Sequence, residues 1–345
     1  MNPIMTSIIL SSLATGTIIT MSSSHWLFAW MGLELNTLAI IPIIAKQHHP
    51  RATEAATKYF LTQAAASATL LFASTMNAWS TGTWDILQLT NEQACIMLTL
   101  ALSMKLGLAP LHFWLPEVLQ GTSLSTALLI TTWQKLAPFS LIYLTHNTIN
   151  PSILLTMGLL STTIGGWGGL NQTQTRKIMA FSSIAHLGWM ATITTMNPNT
   201  LLLNLTLYIM MTTATFMALI LTTSKTIKDV AMSWMLSPPL TALMLALLMS
   251  LGGLPPLTGF MPKWLILQEL TTNNLSTTAT ILALSALLSL FFYLRLSYTS
   301  TLTTFPTTTT SNNKWRFKPK LPTMALTTML LPALLLLPIT PTLTQ

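Results

Sequence analysis

The chain has 345 residues, 51% of them hydrophobic, with 15 Lys and Arg set against 7 Asp and Glu for a formal charge of +8. So little charge among so much apolar sequence excludes an ordinary soluble domain, and the unbroken apolar runs exclude a β-barrel, whose strands alternate polar and apolar every second residue. Because crossing the ~30 Å hydrocarbon layer takes roughly 20 mainly apolar residues, the expected fold class is all-α, a polytopic membrane protein.

In chain order, the first apolar segment, 3–21, begins within a few residues of Met1 with no basic leader and no small-residue cleavage site, so it is expected to remain in the protein. Segments at 26–45 and 57–78 follow, and the fourth, 94–118, is long and carries Pro110 and Pro116. Next come 124–145, 151–170, 177–195 and 200–223. The ninth, 238–268, is again long and interrupted by Pro255, Pro256 and Pro262, and 276–295 and 322–339 complete a set of about 11 transmembrane helices. Proline inside a membrane helix is tolerated where neighbours or water satisfy the freed backbone groups, so 94–118 and 238–268 are expected to be broken helices. The whole chain reads as one membrane domain, with a first bundle over 26–145, a second over 151–295, and a polar connection plus C-terminal helix over 296–345.

The basic residues test this division, since Lys and Arg gather on one side of a membrane protein. Lys46, Arg51, Lys58, Arg176, Lys177, Lys225, Lys228, Arg295, Lys314, Arg316, Lys318 and Lys320 all fall in or beside loops on the N-terminal side, while the opposite loops carry acids such as Asp85 and Glu92. The positive charge therefore follows from topology and points to no nucleic-acid partner. Residues 299–320, rich in Thr, Asn, Lys and Pro, form the one extended polar connection on that side.

Four charged residues remain inside helices: Glu34, Lys105, Lys135 and Lys263. Each costs on the order of 2.5 to 3.5 kcal/mol at the centre of a membrane helix, and groups that costly mark ion pathways. A buried ammonium is destabilised and a neighbouring carboxylate restabilises it, so a Lys whose partner approaches and retreats would load and release a proton. Glu34 is the natural partner, and it cannot neutralise three lysines. His112, seven residues after Lys105, and His186, four and three after Ser182 and Ser183, are candidate relay points, and the many Ser and Thr hydroxyls could hold water chains or bond back to helix carbonyls. Static ion pairing or snorkelling is the alternative for each lysine.

Aligning Gly107-Leu108-Ala109-Pro110-Leu111 with Gly253-Leu254-Pro255-Pro256-Leu257 brings Pro116 over Pro262 and Glu117 over Lys263, an offset of 146 residues. Paired interrupted helices in corresponding halves are the sequence pointer to a transporter's ion path, and the loop count starts the two on opposite sides, as inverted repeats require. The run Gly165-Gly166-Trp167-Gly168-Gly169 has small-xxx-small spacing that suits close helix packing. Cys95 is the single cysteine, and the sequence carries no nucleotide fingerprint and no metal-ligand cluster, so no cofactor is expected on this chain.

Long stretches, MGLELN around Glu34, PRATEAATKYFLTQA at 50–64, KLGLAPLHFWLPEV at 105–118, WGGLNQTQTRKIMAFSSIAHLGWM at 167–190 and SLGGLPPLTGFMPKW at 250–264, resemble the antiporter-like membrane subunits of respiratory complex I in their animal mitochondrial form, over the whole length. The resemblance implies inverted repeats with two proline-broken helices and a proton-translocating role in NADH:ubiquinone reductase. It implies that Glu34 and Lys105 form the modulating pair of one half-channel, Lys135 is the central relay, and Lys263 serves the second half-channel. Full-length members have fourteen helices, so this chain would lack the first three. NADH, flavin, iron-sulfur clusters and ubiquinone would sit on other subunits, and the partners would be other membrane-arm subunits and lipids such as cardiolipin. The place would be the mitochondrial inner membrane, N-terminus on the matrix side and C-terminus on the intermembrane side. A stand-alone cation/proton antiporter and an inert structural subunit are the competing readings.

Overall fold

The computed structural model describes residues 3–235, 237–302, 316 and 323–340; the expected polar connection falls largely outside them, as do Lys314, Lys318 and Lys320. Among the described residues there are α-helices, short 3-10 turns and two isolated bridges, His25 with Asp85 and Gln174 with Thr226, and no strand. The helices are α1 (Pro3–Ser22), α2 (Trp26–Ile44), α3 (Pro50–Thr81), α4 (Glu92–Leu106), α5 (Trp114–Gly121), α6 (Leu124–Thr131), α7 (Trp133–Leu144) and α8 (Pro151–Gly169). They continue as α9 (Thr175–Ile193), α10 (Pro198–Leu221), α11 (Ile227–Met232), α12 (Pro238–Gly252), α13 (Phe260–Thr272), α14 (Ser276–Leu302) and α15 (Met324–Leu335). Of these, α1, α2, α10 and α14 are each long and apolar enough to cross a membrane unaided.

Both long proline-bearing segments are broken, α4 from α5 and α12 from α13. Two differences from the sequence reading have local causes. The helix expected over 124–145 is interrupted at Thr132, whose backbone leaves the helical range at φ −109, ψ −69, with the hydroxyls of Thr132 and Thr131 bonded back at 2.7 Å to Leu128 O and 3.0 Å to Ala127 O, a pattern that accompanies helix bends. And α3 starts at Pro50 instead of 57, because proline is pre-organised for a first helical position and His49 Nδ1 accepts the Arg51 N–H at 3.2 Å.

The chain forms two compact units, Met1–Ile164 with Ser183–Pro198, and Gly165–Ser182 with Asn199–Gln345. In the first, α1 packs against α2, where a Cβ on Gly16 would stand 2.9 Å from the Gly32 carbonyl oxygen, the close backbone approach that membrane helices use in place of a hydrophobic drive. In the second, Gly166 meets Leu288, and Gly168 and Gly169 meet the rings of Phe181 and Phe292, so the glycine run serves packing. Large apolar side chains face outward, among them Phe28, Met31 and Leu35 on α2 and Leu284, Leu287 and Phe291 on α14. In a water-soluble protein such patches would be a liability; a bilayer or partner subunits give them a solvent.

Hydroxyls are mostly turned inward on their own helices. Thr6, Thr15, Thr69, Thr156 and Thr280 are typical, each donating to a carbonyl three or four residues back at 2.8 to 3.1 Å.

Outside the spans, Thr226 and Asp229 form a reciprocal capping box on α11. Burial pushes the Asp229 carboxyl up, but the N–H groups of Thr226 at 2.8 Å and Lys225 at 3.0 Å outweigh it and hold the group below its ordinary value. A depressed carboxyl contributes stability above its unfolded value, lost as pH falls through the folded one. Asp229→Asn is therefore expected to speed amide hydrogen exchange over 226–230 at neutral pH and to abolish the acid-dependent rise in that exchange; unchanged protection would refute the box's role.

Candidate proton-transfer site

In the first unit, α4 ends at Gly107, held in the left-handed region at φ 77. A glycine there closes a helix without the penalty a Cβ incurs: the Gly107 and Leu108 N–H groups return to Ser103 O at 2.8 and 3.0 Å. The chain then runs unwound through a cis Ala109–Pro110 bond to Trp114. Backbone carbonyls freed inside a membrane need partners, and the structure supplies them. Trp114 Nε1 donates to Met104 O at 3.1 Å, and Lys135 Nζ, from α7, donates to Leu106 O at 2.5 Å. The ammonium thus docks on the negative end of the α4 dipole and lies 5.2 Å from the Trp114 ring centroid.

Lys135 is 1% exposed and Lys105 4%. Lys105 Nζ, in the last turn of α4, has no hydrogen-bond partner, nor does Glu34 Oε2 on α2, although the two are electrostatic neighbours. Glu34 is likewise a neighbour of Tyr59 on α3, and Gln63 Nε2, one turn along α3, is buried and unpartnered too. On α7, Gln134 Nε2 donates to Asn36 Oδ1 at 3.1 Å, fastening α7 to α2. A carboxylate and an ammonium in range of each other, each with an unsatisfied atom, form a charge pair able to change partners.

His112 does not continue α4 as its spacing of seven suggests; the break at Gly107 intervenes, and His112 sits in the unwound turn, 4% exposed with Nδ1 unpartnered. His186 is buried in α9, and Ser182 donates back to Met179 O at 2.8 Å.

The second unit repeats the first break 146 residues on. Gly253 is left-handed at φ 81, and Gly253 and Leu254 N–H groups return to Met249 O at 3.1 and 3.3 Å. Pro255 and Pro256 lie in the unwound stretch, and α13 restarts at Phe260, 146 residues after Trp114. Lys263 Nζ, in the first turn of α13, donates to Gly252 O at 2.9 Å. In both units, then, the carbonyl just before the left-handed glycine accepts a lysine ammonium, but the first lysine comes from another helix and the second from the restarted one. Thr258, the counterpart of His112, donates to the Ala333 carbonyl of α15.

The sequence reading missed Trp114, Tyr59, Gln63 and the two acceptor carbonyls. Carrying the repeat alignment four residues past Pro110 would have flagged Trp114 opposite Phe260; a carbonyl leaves no trace in sequence beyond the glycine after it. At the exposed N-terminal turns of α3, Lys58 pairs with Glu54 at 2.5 Å and with Glu117 of α5 at 2.7 Å, and the ammonium holds the Glu54 carboxyl below its ordinary value. Exposed pairs of this kind contribute little energy.

Comparison with known proteins agrees with this architecture. Residues 23–289 match the family described as NADH:quinone oxidoreductase/Mrp antiporter, TM, and residues 290–344 match NADH dehydrogenase subunit 2 C-terminus. The NADH-ubiquinone oxidoreductase chain 2 of Xenopus laevis is 59% identical over 99% of both chains, and that of Salmo salar 60% identical over 100% of this chain and 99% of its own. Among solved structures, respiratory complex I from Thermus thermophilus with bound aureothin contains a chain that superposes with TM-score 0.83 at 26% identity, covering 98% of this chain and 80% of its own. The Mrp complex from Dietzia shares the fold, with TM-score 0.75 at 17% identity over 85% of this chain and 59% of its own. This chain therefore belongs to the NADH-ubiquinone oxidoreductase chain 2 family of antiporter-like membrane subunits.

Proposed function

We propose that this proton-translocating subunit of NADH:ubiquinone oxidoreductase moves protons through its buried lysines, with Glu34 and Lys105 as the switching pair, Lys135 as the relay and Lys263 serving the second half-channel. The observation that carries the reading is the unsatisfied pair: Glu34 Oε2 and Lys105 Nζ are electrostatic neighbours, both buried, and neither has a hydrogen-bond partner. When the carboxylate moves toward Lys105 the ammonium is stabilised and holds a proton; when it withdraws, burial favours the neutral amine and the proton leaves. Lys135, docked on Leu106 O one residue along from Lys105, is the next acceptor once its own proton has gone onward. His112, whose Nδ1 in the break has no partner, and His186 are the candidate relay points. Pro110, Pro255 and Pro256 keep the two breaks open.

Redox cofactors belong to other subunits on this reading: the chain receives its driving force through contacts with the rest of the membrane arm and carries no flavin, iron-sulfur cluster or ubiquinone itself. The outward apolar faces would take those subunits and lipids such as cardiolipin, with no role for nucleic acid. The basic loops and the N-terminus would lie on the matrix side of the inner membrane and the C-terminus on the intermembrane side.

The test is Lys105→Met in the assembled complex, reconstituted into sealed vesicles. NADH:quinone turnover is expected to fall about a hundredfold, the low end of what a lost proton-transfer group costs, or the proton-to-electron ratio to drop, with assembly intact by native electrophoresis. Both quantities staying at the unmutated level would make Lys105 dispensable structure and leave the inert-subunit reading standing.

A further inference from the structure

Trp114 touches both the end of α4 and the ammonium docked there. Its Nε1 holds Met104 O, its ring lies 5.2 Å from Lys135 Nζ, and its edge meets Tyr59 at 5.6 Å between centroids. At 5% exposure the contact is shielded from solvent, where an ammonium over an indole face is worth most. Lys135 has little else. Its hydrogen bond is to Leu106 O, and it forms no ion pair among the described residues. The helices packed on α7 include α1, α2, α4 and α6, and α5, which carries Glu117, reaches it through Trp114, with His112 in the turn before. Of these, α1 and α6 carry no titratable residue, α2 carries Glu34, and α4 carries Lys105 with Glu92 and Cys95 at its far end. On α7 itself Tyr143 lies about two turns beyond.

We propose that Trp114 is a positioning residue for proton transfer, its ring face holding Lys135 in the ammonium form against Leu106 O so that the relay stays loaded until charge arrives from Lys105. The inference rests on the reading of Lys135 as a proton carrier and adds a determinant of how tightly that carrier keeps its proton. A carbonyl and a ring face both favour the cation, yet neither can accept its proton. They hold the charge without discharging it, unlike a carboxylate.

The experiment compares Trp114→Leu and Trp114→Phe in the assembled complex in sealed vesicles, with proton-coupled turnover measured from about pH 6 to 10. Leu removes the ring; Phe keeps a weaker ring and loses the bond to Met104. The alkaline limb of the profile is expected to move about one pH unit lower in Trp114→Leu, a tenfold change in proton retention, and by a smaller amount in the same direction in Trp114→Phe. A Phe profile that superposes on the unmutated one overturns the proposal, as does a Phe shift equal to that of Leu, which would trace the effect to the Met104 bond. Should Trp114→Leu fail to assemble, the Phe profile decides alone. Lys135→Met separates the two levels. If it keeps full turnover, the carrier reading itself falls; if it loses turnover while the Trp114 profiles stay put, only the role of Trp114 is removed.

Discussion

Replacing Lys135 with Met is expected to lower proton-coupled turnover at least about a hundredfold while leaving the melting temperature of the assembled complex unchanged or slightly raised. The two halves of that expectation come from one balance. Taking an ammonium out of water costs several kcal/mol even after the protein relaxes. Against this stand a charge-assisted hydrogen bond to Leu106 O, about 1.5 to 3 kcal/mol, and the ring of Trp114, about 2 kcal/mol when desolvated. The side chain is 1% exposed and forms no ion pair among the described residues, so its charge contributes little or nothing to net stability. Met fills similar volume without the desolvation cost, and what it gives up is the hydrogen bond to Leu106 O and the ammonium's contact with the Trp114 ring, the two contributions that the desolvation cost already offsets. The check is turnover, proton uptake and thermal denaturation on one preparation. Full turnover would end the relay assignment, and a melting temperature lowered by many degrees would make Lys135 a structural pin.

Gly259→Ala is expected to destabilise the second unit by about 3 kcal/mol or more, the upper range for overpacking, and to reduce the amount of assembled complex. The reason is steric, since Gly259 has an ordinary φ of −66. A Cβ built there would collide with the Ser250 carbonyl oxygen and stand 3.2 Å from Met211 Sδ. The methionine can yield and the carbonyl cannot, because it belongs to the last turn of α12 and accepts the Gly253 N–H at 3.0 Å. The returning chain must pass this close for Lys263 to reach Gly252 O from α13. Native electrophoresis and the loss of any surviving complex on mild heating measure the effect; assembly at the unmutated level would mean the two strands of the break part more easily than their contact implies. The equivalent place in the first unit, Phe113, is a large exposed side chain, so the first break has no such constraint.

Much of this arrangement could be read before any coordinates. Class, helix order and both broken helices follow from apolar run length and proline placement, because in a membrane backbone satisfaction leaves almost no other choice. Intramembrane charge singled out Glu34, Lys105, Lys135 and Lys263 on cost alone. What escaped were features set by backbone in three dimensions. The docking of Lys135 on Leu106 O depends on where α4 stops, and His112 was placed on one face with Lys105 because periodicity continues through a glycine that the chain does not follow helically. The interruption at Thr132 escaped because two adjacent threonines in an apolar run look like any others, and a backbone turned to φ −109, ψ −69 leaves no mark in sequence. Trp114 was invisible as a partner since an aromatic in apolar sequence reads as packing.

The back-bonding of threonine hydroxyls has a consequence for the exterior. A hydroxyl already bonded to its own helix presents a methyl group outward and asks nothing of its surroundings, so residues such as Thr15, Thr69, Thr156 and Thr280 behave toward hydrocarbon as branched aliphatics. Exchanging them for Ala, Val or Ile strands no polar atom. The outer faces of such a chain are therefore free to drift in sequence over generations, and its unpaired interior atoms are not.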